Sequence, residues 1–390
     1  MSSRVALPVL AFALQLVPQA TAQQAAVSED VALRIEERCN ELLWGLHEKH
    51  GFPGLSAALV LPDGTELAFP VGFADLEAGR EMSAEDRLLS GSIGKTYVSA
   101  AAHHLMLAGK LDFAAKAIEH FEGEEWFLRV PNARTVTVAQ LLRHESGLPR
   151  YVFEAGFFPA CIAEPDKVWK PEELLSWVFD DAPLFPAGEG WAYSDTNYIV
   201  VGMILEKVAG MPFYDYVRKN LLEPHRLADT VPSDSRRIPG LTQGYCVALR
   251  QFGMPERMLT DGVFCYNPQF EWCGGGYAST PLDLARWARL LYGGEAMEGD
   301  YLASMLDTVP ARLGPGVEYG LGAMTRASAL GRQIGHDGVM TGFLASVGWF
   351  EASGISGAVM ANTDDASALG MPADRLLERL AAIAQDELDG

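Results

Sequence analysis

Strand-like periodicity is confined to the two ends of this 390-residue chain, and that distribution constrains the fold more than any other feature. Near the front, Ser28 is placed to cap a helix whose Val31, Ile35, Cys39, Leu42 and Leu46 recur at three- and four-residue spacing. Gly51 and Pro53 end it. Residues 55–61 then read as a strand, Pro62-Asp63-Gly64 as a turn and 65–73 as the return strand of a hairpin. Toward the other end, 333–335, 343–350 and 356–360 read as strands, followed by a helix with Leu376, Leu380, Ile383 and Leu388 on one side.

Between these ends, from about 100 to 280, helical segments alternate with Pro/Gly-punctuated loops. The spacing predicts helices over 93–108, closed by Gly109, over 171–179, and over 198–208, stopped at Gly210. Thr280-Pro281-Leu282-Asp283 supplies a cap, a first-turn proline and a first-turn acid for a further helix reaching Tyr292. The expected fold is therefore α/β in the α+β sense: an antiparallel sheet flanked by helices and built from both termini, with an all-helical lobe inserted. The sheet lobe is expected at about 23–95 and 285–390 and the helical lobe at about 96–284.

Residues 1–22 read as a signal peptide. Arg4 is its sole charge, 5–17 is apolar apart from Gln15, and Ala20-Thr21-Ala22 offers the small residues of a cleavage site. Pro8 and the short apolar run argue against a membrane anchor, which needs about 20 residues. An exported protein, periplasmic or secreted, with no membrane span after cleavage is expected. The net charge of −21 and the lack of a basic stripe exclude nucleic acid as a partner. Five cysteines follow the leader, at 39, 161, 246, 265 and 273. An oxidising compartment permits bridges, with Cys265 and Cys273 the nearest pair in sequence, but no spacing suggests zinc.

The chemistry begins at Ser90-Gly91-Ser92-Ile93-Gly94-Lys95-Thr96. If Ser92 opens the following helix, Lys95 falls one turn on and on the same face, where its amine can take the serine proton. A phosphate-binding loop would need glycine at 89, where Leu89 stands, and a nucleophile elbow would need glycine at 90, where Ser90 stands. Tyr193, in Tyr193-Ser194-Asp195, carries a phenol that, with a depressed pKa beside a lysine, can shuttle a proton between nucleophile and leaving group. Gly335-His336-Asp337-Gly338-Val339 offers backbone amides for an oxyanion, glycine permitting close approach, although a turn between strands uses the same residues.

Ser-x-x-Lys, then Tyr-Ser-Asp, then His-x-Gly, in that order across the chain, resembles the serine β-lactamase and penicillin-binding family, in its class C β-lactamase, DD-peptidase, D-aminopeptidase and esterase branch. Leu141-Leu142-Arg143-His144-Glu145-Ser146-Gly147-Leu148-Pro149, residues 186–210, Gly274-Gly275-Gly276-Tyr277-Ala278-Ser279-Thr280 and Tyr319-Gly320-Leu321-Gly322 are similar to further stretches of that family. The resemblance implies an active cleft between the sheet and the helical lobe. It makes Ser92 the nucleophile, Lys95 and Tyr193 the proton-transfer pair, and the backbone amides of Ser92 and Val339 the oxyanion hole. Asp195, His336 and Gly338 become substrate-binding positions, with His336 at the cleft rim where many β-lactamases have lysine. No cofactor or metal is implied.

Two departures shape the expected activity. Asp195 stands where the family usually has asparagine, and a carboxylate there favours the charged form of Lys95. Tyr193 is then expected to carry more of the base role. His336 in place of lysine leaves less permanent positive charge for a substrate carboxylate. Both lean toward a serine hydrolase acting on an amide or ester of a small molecule or peptide, including a D-amino acid or peptidoglycan-related peptide. The alternatives are a β-lactamase and, in another class, a non-catalytic binding module. His144 reads as structural, and the run Tyr151, Phe153, Phe157, Phe158 reads either as an apolar acyl pocket or as packing of the helical lobe.

Overall fold

The computed structural model describes residues 26–390, and the leader reading lies outside them. The first helix, α1 (Glu29–His50), begins where Ser28 accepts a hydrogen bond from the Val31 amide and ends at Gly51 in the left-handed region, φ +70°. Ile35, Cys39 and Leu43 are its buried face, with Val31, Leu42 and Leu46 packed partly buried beside them. The hairpin follows as β1 (Gly54–Val60) and β2 (Glu66–Asp75), with Leu55 opposite Val71 and Val60 opposite Glu66.

The far end of the chain completes the same sheet. Strands β3 (Met324–Ser328), β4 (Gly331–Met340), β5 (Phe343–Phe350) and β6 (Ser356–Ala361) form an antiparallel meander whose last strand pairs with β1, Leu55 opposite Ala361. Short strands at both edges bring the sheet to nine. α1 and the terminal helix α5 (Ala373–Asp389) cover one face, burying Leu376, Leu377 and Leu380 against Ile35, Leu43 and Val359. Burying side chains of that size contributes about 1.5–3 kcal/mol each.

On the opposite face lie α2 (Lys95–Leu107), α3 (Asp195–Ala209) and α4 (Pro281–Tyr292), with the short helices of the central segment stacked beyond them around one continuous core. Thr280 caps α4 by accepting from the Asp283 amide, and Gly210 ends α3 with φ +70°. The strand predicted at 333–335 runs on to Met340, so His336 to Val339 lie in a strand rather than a turn. Glycine is what allows it: a Cβ on Gly335 would stand 1.9 Å from the Val347 carbonyl oxygen. The five cysteines are all free thiols, including Cys265 and Cys273.

Candidate active site

Ser92 does not open α2. It sits in a tight 3-10 turn, Gly91–Gly94, that leads into the helix at Lys95. The turn is pinned to the short strand Tyr277–Ser279: the Ser90 amide and hydroxyl both donate to the Tyr277 carbonyl, each at 2.9 Å. Two missing side chains let β4 close over it. A Cβ on Gly91, at φ +50°, would lie 2.7 Å from the Val339 carbonyl oxygen, and one on Gly338 would lie 2.0 Å from that of Ser90. The main chain of Val339 is therefore held alongside the residue that precedes Ser92. Gly338 meets Ser90, so its place in the site is a packing contact.

Lys95 is fully buried beneath Ser92. Its ammonium donates to Ser92 Oγ at 3.0 Å, to Asp195 Oδ1 at 2.7 Å and to the Gly274 carbonyl, which commits all three N–H bonds. Burial disfavours its charge, but Asp195, Tyr193 and Glu271 together outweigh that and hold its pKa above the ordinary lysine value. Asp195 is the first residue of α3, and its second oxygen accepts from Arg150 Nε at 3.0 Å and Nη2 at 2.6 Å. Burial opposes ionisation here too, yet the guanidinium and ammonium hold the carboxyl well below its usual range. Three of the roughly four acceptor positions of Asp195 are thus taken by Lys95 and Arg150.

Tyr193 stands two residues before α3, its ring 4.9 Å from Lys95 Nζ and 4.2 Å from the His144 ring, centre to centre. Its hydroxyl is buried and makes no hydrogen bond among the described residues. Burial raises the phenol pKa, with Lys95 opposing and Asp195 adding, so the phenol is not the depressed one anticipated. His144, buried at φ +64°, accepts through Nδ1 from the Ser194 amide at 3.2 Å and faces Asn197 Nδ2 at 3.0 Å. Those donors assign its proton to Nε2, and burial together with Lys95 keeps the ring neutral. Its place is behind Tyr193, holding the loop.

His336 is not at the rim. It is buried behind the cleft wall, with Nε2 2.9 Å from Tyr319 Oη and Nδ1 2.6 Å from the Asp337 carbonyl. Burial, aided by Lys95, lowers its pKa to about 3. Residues alternate across β4, so His336 shares the face of Gly338, which closes on the Ser92 turn, and its ring centre lies 6.3 Å from that of Tyr193.

The cleft over Ser92 holds about 390 Å³ and is lined on one side by Val152, Phe153, Phe158, Leu249 and Phe270, and on the other by Leu313, Met324, Val339 and Met340. The aromatic run divides here. Phe153 and Phe158 face the cleft, while Tyr151 and Phe157 are fully buried in the lobe. Arg150 and Glu271 also line it, and no motif had marked either. For Arg150 a signal existed: a carboxylate in place of a buried asparagine requires a compensating cation.

A nine-stranded sheet, a helical layer and a Ser-x-x-Lys turn at their junction define the fold class of serine β-lactamases and penicillin-binding proteins. The chain belongs to the Beta-lactamase family, whose model matches residues 27–381. It is 24% identical over 309 residues to penicillin-binding protein 4* of Bacillus subtilis (strain 168), spanning 76% of this chain and 65% of that one. It is 25% identical over 201 residues to a β-lactamase of Yersinia enterocolitica, spanning 51% of this chain and 47% of that one. The chain thus spans between about half and two thirds of these relatives. Among solved structures it is similar to a D-stereospecific amidohydrolase from Streptomyces sp., with TM-score 0.73 and 25% identity over 86% of this chain and 97% of that one. It also shares the fold of a D-amino acid amidase from Ochrobactrum anthropi SV3 in complex with D-phenylalanine, with TM-score 0.76 and 22% identity over 92% and 99% of the two chains. No helix among the described residues is long and apolar enough to cross a membrane.

Proposed function

We infer that this chain is a serine hydrolase that cleaves an amide or ester through an acyl-enzyme on Ser92. The observation that carries the reading is the 3.0 Å contact between Ser92 Oγ and Lys95 Nζ at the floor of an apolar cleft. Ser92 Oγ attacks the carbonyl carbon, and the backbone amides of Ser92 and Val339 receive the developing oxyanion. Because Lys95 is held as an ammonium with no lone pair to offer, Tyr193 takes the serine proton in its phenolate form, a minor form that burial disfavours and the Lys95 ammonium favours. The same proton then passes to the departing amine or alcohol. The sheet lobe, about 23–95 and 285–390, and the helical lobe, about 96–284, act as the two walls.

The cleft's chemistry selects among substrates. Arg150 is tied to Asp195 and His336 is buried and neutral, so neither offers a free cation to a substrate carboxylate. That favours amides and esters over β-lactams and peptides with a free C-terminal carboxylate. The amidohydrolase and amidase neighbours support a D-amino acid amide or a related peptide amide with an apolar side chain seated against Phe153 and Phe158. Residues 1–22 are assigned to export on their single charge, apolar run and small-residue cleavage site. The test is turnover of D- and L-phenylalanine amide, short-chain p-nitrophenyl esters and nitrocefin by the wild type and Ser92→Ala. Amide or ester turnover lost in the variant supports the reading. Nitrocefin as the best substrate would replace it with a β-lactamase, and no turnover of any of them by folded protein would favour a binding module.

A further inference from the structure

An acyl-enzyme is hydrolysed only if some group takes a proton from the attacking water after the leaving group has gone. Lys95 has spent its three N–H bonds and, as an ammonium, accepts nothing. Both oxygens of Asp195 sit in ion pairs. His336 is buried with both ring nitrogens engaged, by Tyr319 and the Asp337 carbonyl, and His144 is buried against Tyr193. Besides Tyr193, which handles the proton of the first half-reaction, the carboxylate of Glu271 is a second lone-pair acceptor in the cleft wall with no hydrogen bond or ion pair among the described residues.

Its position is built. Glu271 lies in the 3-10 turn Pro268–Gly274, just ahead of the Gly274 carbonyl that receives Lys95. The next residue, Trp272, is forced to φ +36°, ψ −115°, a conformation that a bulky side chain adopts only when its surroundings impose it. The kink buries Trp272 against Phe213 and leaves the Glu271 side chain directed into the cleft. Gly275 provides the clearance: the point where its Cβ would stand is 2.4 Å from Glu271 Oε2 and 2.6 Å from the carbonyl carbon of Gly91, the atom bonded to the Ser92 amide. The carboxylate therefore lies beside the peptide that carries the nucleophile. It makes no hydrogen bond or ion pair among the described residues, and its surroundings act on it only through burial, which disfavours its charge, and through Asp195, Lys95 and Arg150 nearby.

We propose that Glu271 is the general base for hydrolysis of the Ser92 acyl-enzyme, a role that rests on the serine-hydrolase reading above and extends it to the second half of the reaction. In this step water attacks the acyl carbonyl carbon while Glu271 takes one of its protons. The tetrahedral adduct collapses, the bond to Ser92 Oγ breaks, and the proton returns to that oxygen, either from Glu271 or through the Lys95 ammonium. The products are a carboxylic acid and free Ser92, and the carboxylate is regenerated. Burial, with Asp195 adding and Lys95 and Arg150 opposing, raises the Glu271 pKa to about 7, which suits a base working near neutrality.

The experiment is pre-steady-state hydrolysis of p-nitrophenyl butyrate by the full protein, comparing wild type, Glu271→Gln and Gly275→Ala, with intact mass after quenching. Glu271→Gln is expected to keep the acylation burst and kcat/KM within about threefold and to lose roughly 10²–10⁴ in kcat, accumulating a butyryl adduct. Gly275→Ala, which presses on the Gly91 peptide as well as on the carboxylate, is expected to lower kcat and kcat/KM together, unlike Glu271→Gln. Turnover of Glu271→Gln at the wild-type rate would overturn the proposal. So would an equal fall of kcat and kcat/KM with no adduct, or a raised KM for amine-bearing substrates alone, which would make Glu271 a substrate contact. Fluorophosphonate labelling of Ser92 separates the two levels. Labelling of both wild type and Glu271→Gln without adduct accumulation refutes the Glu271 role only, whereas absence of labelling in the wild type refutes the serine-hydrolase reading beneath it.

Discussion

Replacing Asp195 by asparagine perturbs the least usual feature of the site with a change of one atom per side chain. At 2.7 Å and an effective dielectric of about 20, the attraction between Asp195 and Lys95 is about 6 kcal/mol before desolvation is counted. Much of that is already shared with Arg150, 2.6 Å from the other oxygen, and an asparagine carbonyl still accepts one hydrogen bond. Shifts caused by one neighbouring charge run about 1–3 units, so we expect the lower part of that range, about 1–2 units or roughly 1.4–2.7 kcal/mol. The direction is fixed. Asp195 raises the pKa values of both Lys95 and Tyr193, and its loss, with Arg150 left unneutralised, lowers both. The assay is the second-order rate of fluorophosphonate labelling from pH 5 to 10, which reads activation of Ser92 independently of substrate. The alkaline-rising limb of Asp195→Asn should move to lower pH by about 1–2 units. Because the base is also weakened, the gain at pH 7 should be a moderate factor of about 3–10. An unmoved limb, or one displaced to higher pH, would refute the reasoning that the carboxylate holds the proton-transfer pair in its protonated form.

Three further perturbations have defined outcomes. Tyr193→Phe removes the proposed proton acceptor, so labelling of Ser92 should fall by roughly 10²–10⁴ while thermal denaturation stays within about 1 kcal/mol of the wild type. Gly338→Ala forces a Cβ to within 2.0 Å of the Ser90 carbonyl oxygen and should cost about 2–3 kcal/mol in the same assay, with loss of activity because the strand and the Ser92 turn must part. His336 stays neutral in the fold down to about pH 3 but protonates near 6.5 when unfolded, so the unfolded state binds the extra proton and stability falls as pH drops through that window. The contribution is on the order of 4 kcal/mol, and denaturant titrations of His336→Gln between pH 7 and 4 should show a shallower acid loss than the wild type.

The sequence was most legible where a local rule coincides with the tertiary structure. Ser28, Gly51, Gly210 and Thr280 end or start helices because their caps satisfy orphan backbone groups within a few residues. The hairpin 54–75 was readable for the same reason, since its turn and its pairing are contiguous. Ser92, Lys95 and Tyr193 were readable as a motif set, and they do converge in one cleft. What escaped depends on contacts between distant segments. The glycines of β4 look like turn residues until Val347 and Ser90 are seen pressing on them. His336 looks like a rim residue until Tyr319 and the Asp337 carbonyl are seen to enclose it. Arg150 and Glu271 stand 45 and 76 residues from Asp195 on either side, and only folding brings them to it.

The central claim is that Ser92 is an activated nucleophile, and the most direct measurement is intact mass and peptide mapping after exposure of the protein to a fluorophosphonate. The account predicts a single adduct, mapped to Ser92, formed in the wild type and absent from Ser92→Ala and, at matched times, nearly absent from Lys95→Ala. An unmodified wild type that is folded by thermal denaturation, or an adduct on any other serine, would contradict it.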